Sequence, residues 1–282
     1  MNGPDIYWLG VHKTGTTFLQ ACLEASREAL ERHNLTYEPL DTFRRTYTRP
    51  LLDRPDALPP ILTSATMSKA RRLIFDENIL GLVQDVATPE GLYPTGAWRA
   101  DEMADRLDLE NPRLVLGLRG FAGFLPSLYC EALKATPFQS FRKFLRTPPE
   151  HLSWQPLVAN LLVAFPRTHL TIYTAETLLG QETALLSYLL DLPKPELTRA
   201  DHSERRGFSQ RAVEKMNEVH KARGIEIAEV KRLAEDYPRG PEMPGFDPWE
   251  RDERDRLNAL YTADLEALRT WPRVTLIDPA SL

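Results

Sequence analysis

IYWLGVHKTGTTFLQACL, Ile6 to Leu23, decides the fold. Ile6 to Val11 is a short apolar run that ends in a glycine-containing loop, the pattern of a buried strand. From Thr16 to about His33 the periodicity turns helical, with Phe18, Leu19, Cys22, Leu23 and Leu30 near one face and Asn34 as a stop signal. NLTYEP then reads as a short second strand and exit. Strand, loop, helix, strand is the opening of a doubly wound sheet. Within it, Gly10 and Gly15 have the spacing of the phosphate loop G-x-x-x-x-G-K-[ST]. Thr16 stands where that pattern has its lysine, and the lysine sits inside the loop as Lys13.

A strand that stops at such a loop and restarts as a helix aims several backbone N–H groups at one point, and the helix dipole adds to their field. The hydroxyls of Thr14, Thr16 and Thr17 supply further donors. Lys13 leaves from the loop itself, so it meets a short, weakly charged group close by, whereas a helix lysine reaches forward along a triphosphate. The plain alternative is a surface turn that caps a helix through Thr16. Its place directly after the first strand favours the anion site.

Further strands are expected at Arg72 to Phe75, Arg113 to Leu118, Leu170 to Tyr173 and Val274 to Asp278. Helices are expected at Trp98 to Leu107, through Phe124, Leu128 and Leu133, over Leu157 to Phe165 and Thr177 to Leu190, from about Ser209, and over Pro248 to Leu268 with Asp247 as its start signal. The expected fold is α/β, a three-layer sandwich around a central, mostly parallel sheet of the P-loop nucleotide-hydrolase kind. A single domain over residues 1–282 carries insertions at about 41–70 and 237–248. Tyr237 to Pro248, with four prolines and two glycines, is the expected mobile loop.

The net charge of −5 and a pI near 5.8 argue against a nucleic-acid binder, which normally shows a basic footprint. Neither Cys22 nor Cys130 belongs to a C-x-x-C pair, so no zinc or redox motif is present and a reducing compartment fits. The N-terminus lacks a basic stretch followed by a long apolar run, and IYWLGV is too short to span a bilayer. The expected location is cytoplasmic.

KTGTT, Lys13 to Thr17, resembles the 5′-phosphosulfate loop K-[AT]-G-[ST]-[ST] of PAPS-dependent sulfotransferases, PAPS being 3′-phosphoadenosine 5′-phosphosulfate. The resemblance extends to RLVLGLRGFAGFLPSLY, where Arg119 ends a strand and Ser127 follows eight residues on. In that family the corresponding pair holds the 3′-phosphate. An arginine offers a planar fork of donors to a dianion. A weaker match is RRG, Arg205, Arg206 and Gly207, resembling the R-[KR]-G of a loop that closes over the 3′-phosphate. Each residue also has a plain reading: Arg119 as a surface ion-pair partner, Ser127 as a tolerated helix serine, RRG as a charged turn. Trp154 and Tyr173 to Leu178 resemble family positions too and are taken as packing residues.

The resemblance implies transfer of a sulfuryl group from PAPS to a hydroxyl or amine of a small molecule, glycan or lipid, releasing the 3′,5′-bisphosphate PAP, with no metal required. Lys13 then stabilises the bridging oxygen as the bond breaks. The family's base is a His or a Glu. RLIFDEN offers Glu77 first and Asp76 second at a strand's carboxyl end, where neighbouring carboxylates can raise one another's pKa; their alternative is a loop cap. His12 stands beside Lys13 for a nucleotide contact. Two rivals stay open: a P-loop kinase or NTPase, in which LIFDE holds Mg²⁺, and a PAP- or PAPS-binding module without turnover.

Overall fold

The computed structural model describes residues 3–53, 70–178, 180–201, 207–278, 280 and 282. Strands whose residues are apolar throughout cannot leave one face in water, so they collect in the middle of a parallel sheet. Strand β1, Ile6–Trp8, is buried at every residue, and so is β7, Leu170–Thr174. β6, Arg113–Leu118, is buried from Leu114 onward. The flanks are less apolar: β2, Leu35–Tyr37, exposes its middle residue, and β8, Val274–Leu276, is only half-buried. With β3, Arg71–Phe75, these form a six-stranded sheet in the order β2-β3-β1-β6-β7-β8. Every pairing is parallel. A separate small hairpin joins β4, Ala87–Thr88, to β5, Gly91–Leu92.

Helices cover both faces, and the strand period of two divides the core accordingly. Tyr7, Leu114, Leu116 and Leu118 pack into one apolar cluster, whereas Ile6, Trp8 and Val115 pack into the other. The first face carries α5, Gly96–Arg106, α6, Phe121–Ala132, and α8, Gln155–Ala164. The second carries α1, Thr16–Ala25, α2, Arg27–Arg32, and α10, Glu182–Leu190. The expected α/β three-layer architecture is what forms. β1 lies between β3 and β6, so successive connections leave it toward opposite edges. Open α/β sheets place their ligand crevice at such a switch.

Several boundaries differ from the sequence reading. The helix expected to run from Thr16 to His33 breaks at Ser26. The Ser26 hydroxyl accepts the Thr198 N–H at 2.9 Å, which draws this residue out of helical geometry. The helix expected over Thr177 to Leu190 splits into α9, Ala175–Leu178, and α10, because Gly180 takes a left-handed φ of +78°. Ser209 caps α11, Gln210–Arg223, through the Ala212 N–H. α12, Ile227–Asp236, is an element the sequence reading passed over. α13 runs Arg251–Leu268, three residues later than Pro248, because Glu250 and Glu253 form a capping box there. The Arg-rich segment after Pro39 is helical where described: α3, Leu40–Phe43, a wide turn over Arg44–Thr48, and α4, Arg49–Asp53. A further short helix, α7, spans Phe141–Phe144.

The loop from Tyr237 to Pro248, expected to be mobile, is fastened along its length. Ser209 donates to the Tyr237 carbonyl at 2.6 Å, Gln210 N–H to Pro244 at 2.8 Å and Phe246 N–H to Phe208 at 3.0 Å. The prolines supply shape here, and the neighbouring start of α11 supplies the hydrogen bonds.

A candidate anion-binding cleft

β1 hands the chain to its loop at the switch of the sheet, with Leu9 N–H still bonded to Val115 of β6 at 2.9 Å. Three loop residues adopt left-handed φ: Gly10 at +58°, Lys13 at +66° and Gly15 at +83°. For Lys13 that conformation is strained, since the Cβ crowds its own carbonyl. Gly15 carries a second constraint, because a Cβ there would run into Leu178. From Gly15 the helix starts at once, with Phe18 and Leu19 N–H groups bonding the Gly15 carbonyl at 3.0 and 3.1 Å. The loop also lies close on β6: a Cβ at Gly117 would stand 2.5 Å from the Tyr173 ring and 2.8 Å from Thr14 Oγ1.

A cleft of about 1000 Å³ opens over this loop. His12, Lys13, Gly15, Thr16 and Thr17 line it from the loop, Arg119 and Ser127 from the end of β6 and from α6, and Glu77 from beyond β3. Gly207 lines it as well, whereas Arg205 and Arg206 lie outside the described residues. Thr14 and Asp76 do not face the cleft. The Thr14 hydroxyl donates to the Val11 carbonyl at 2.6 Å and tightens the turn from within. Asp76 is fully buried beneath.

Arg119 is set by both ends of its residue. Its guanidinium donates to the Lys13 carbonyl at 2.8 Å, and its own carbonyl accepts the buried Trp154 indole N–H at 3.1 Å. Trp154, expected as packing, therefore also fixes the arginine's backbone. Burial lowers the pKa of Arg119; Glu176 opposes that, and Arg239 adds to it. Arg239 lines the same cleft from the pinned loop and packs against Gly245. The part-buried Arg119 and the exposed Arg239 put two cations at the cleft, which favours an anion there.

The carboxylates after β3 are organised by an arginine the sequence reading did not single out. Arg44 donates to Asp76 Oδ1 through Nε and Nη2 at 2.9 and 2.8 Å, and lies 3.0 Å from Glu77 Oε1. Thr48 and the Asn78 N–H complete the shell of Asp76 at 2.7 and 3.0 Å. Burial pushes the Asp76 carboxyl up while Arg44 pulls against it. The expectation that the two carboxylates raise each other does not hold at Glu77. Burial works against its charge, yet Arg44 and then His12 bring its pKa below the ordinary value.

His12 is held from three sides. Its own N–H and its Nδ1 both meet the Tyr93 hydroxyl, at 3.0 and 2.8 Å, and Nε2 lies 3.1 Å from Asn78 Oδ1. The Tyr93 oxygen accepts the backbone N–H, so its proton points to Nδ1, and Nε2–H donates to Asn78. Burial lowers the His12 pKa, and Glu77 opposes that shift. Its polar atoms are thus spent on the protein.

Lys13 is not without a partner. Its ammonium lies 3.0 Å from Glu131 Oε2, and Lys134 approaches the same oxygen at 2.9 Å. All three side chains line the cleft. The signal for them was in the sequence: Ser127, Glu131 and Lys134 follow at steps of four and three along SLYCEALK, a helical spacing. Among the described residues no group of three His, Cys, Asp or Glu side chains is arranged to hold a metal ion, and no helix is long and apolar enough to cross a membrane.

No protein-family model matches the chain, and no curated protein matches it. Among solved structures it is similar to a sulfotransferase from Alicyclobacillus acidocaldarius, at 14% identity over 84% of this chain and 96% of that one, with a TM-score of 0.42. A likeness this distant assigns no activity. The fold and cleft by themselves define an α/β protein with a cleft over the glycine loop at the switch of a parallel sheet.

Proposed function

We propose that the protein is a PAPS-dependent sulfotransferase, moving a sulfuryl group to a hydroxyl or amine of a small-molecule, glycan or lipid acceptor and releasing PAP. One observation carries the reading: Lys13, Thr16 and Thr17 share a single cleft with Arg119 and Ser127, so the residues suited to the two charged ends of one nucleotide face a common space. A volume of about 1000 Å³ leaves room for a second, smaller molecule beside the nucleotide.

PAPS supplies an activated sulfuryl group on a good leaving group; the protein's part is placement and charge. The N–H groups at the start of α1 and the hydroxyls of Thr16 and Thr17 hold the sulfuryl end. Lys13 stabilises negative charge on the bridging oxygen as it develops. Arg119 forks onto the 3′-phosphate and Ser127 adds a shorter donor, with Arg239 on the same side. The roles of Arg205 and Arg206 rest on the sequence resemblance alone. Glu77 accepts the acceptor's proton, being ionised at neutral pH and facing the cleft. Asp76 acts behind it, holding Arg44 in place.

Calorimetric titration with PAP and with ATP, each with and without Mg²⁺, followed by labelled PAPS and an acceptor panel, tests the reading. Metal-independent PAP binding and label transfer are expected. Mg²⁺-dependent ATP turnover would make the protein a P-loop kinase or NTPase. PAP binding without transfer to any acceptor would make it a binding module.

A further inference from the structure

We infer that Glu131 is an internal counter-anion for Lys13, which the incoming nucleotide must displace before the lysine can act. The inference rests on the reading of the cleft as a PAPS site. Lys13 has to present its ammonium to a ligand oxygen at the loop, yet it is paired with Glu131 at 3.0 Å. Glu131 sits on α6, one turn beyond Ser127, and lines the same cleft as Lys13 and Ser127.

Two features make the pair an exchange device. First, Glu131 stays charged. Burial disfavours its charge, but Lys13 and Lys134 bring its pKa down to about 2. It therefore competes with a ligand anion at every physiological pH. Second, Lys134 holds the same oxygen at 2.9 Å. When Lys13 turns to the ligand, Glu131 keeps a cationic partner, which avoids the large cost of stranding a part-buried carboxylate. With only one lysine the carboxylate would be a permanent lock. With two, Lys13 trades one anion for another at small net cost. The same arrangement limits how tightly the bisphosphate product is held, because Glu131 reclaims Lys13 as PAP leaves.

Glu131→Gln removes the charge and nearly preserves the shape. Its folding is checked by thermal melting. PAP is then titrated into wild type, Glu131→Gln, Lys13→Ala and the double variant. Glu131→Gln is expected to bind PAP about tenfold more tightly, the size of one charged hydrogen bond no longer competed for. The gain should vanish in the Lys13→Ala background, a non-additivity that a merely structural role would not give. Unchanged or weaker PAP affinity in a folded Glu131→Gln, or the same gain with Lys13 absent, overturns the inference while leaving the proposed function standing. Absence of PAP binding to wild type instead overturns the function. In that case acylation of Lys13 by an amine-selective reagent still reads the pair: a several-fold faster rate in Glu131→Gln is expected if Glu131 restrains the ammonium, and an equal rate rejects the pairing itself.

Discussion

Lys13 and Arg119 are joined through a hydrogen bond from guanidinium to backbone, but their proposed tasks differ, and single substitutions should separate them. Lys13→Ala is expected to lower kcat by about 10²–10³-fold, the usual loss when one preorganised charge-stabilising donor is removed. Arg119→Lys keeps the charge and loses the fork. PAP affinity should fall about 10–100-fold while adenosine 5′-phosphate, which lacks the 3′-phosphate, binds as before. Equal losses for both nucleotides would place Arg119 elsewhere on the ligand. In the proposed mechanism Glu77, as the base, sets the acid limb of the rate profile. Because its pKa is depressed, kcat/KM should hold as pH falls to the ordinary glutamate value of 4.5 and drop only below it. A limb near 6–7 would point to a histidine base. Glu131 gives a stability counterpart. Its folded pKa of about 2 lies below the ordinary 4.5, so its contribution is full above pH 4.5 and is lost as pH falls toward 2. Over that window acid melting should erode wild type faster than Glu131→Gln. At this scale the sequence showed Lys13, Thr16, Thr17, Arg119 and Ser127, whose meaning lies in short local spacing. Arg44, Tyr93 and Arg239 were silent because only the folded chain brings them to the loop.

Elements carry the loop to its place, and one tight approach is between the loop and β6 at Gly117. Gly117→Ala must push the Tyr173 ring and Thr14 apart, and overpacking of this sort costs about 1–3 kcal/mol. A lowered melting temperature together with weaker PAP binding is expected, since Thr14 braces the turn from below. A variant as stable as wild type would mean that the sheet relaxes freely there. The central strands were legible because short, mostly apolar runs of four to six residues allow little else. Helix ends were less so. The break at Ser26 depends on Thr198, a partner 172 residues away in sequence, and no local pattern encodes it. The shift of α13 from Pro248 to Arg251 was readable in principle, since Glu250 and Glu253 have capping-box spacing, but Asp-Pro is the louder signal.

The whole molecule brings three distant stretches around one space: the loop at residues 10–17, the pair Arg119 and Ser127, and the pinned segment near Arg239. A ligand that touches all three should slow amide hydrogen exchange in all three together. Protection by PAP confined to residues 10–17 would mean that the far wall of the cleft plays no part. One structural feature also sets a limit on how this chain can change. Lys13 holds a backbone shape that suits glycine or asparagine better than lysine. Breeding the protein for heat tolerance alone, with no demand on turnover, should therefore tend to discard that lysine early, yielding sturdier but inert descendants.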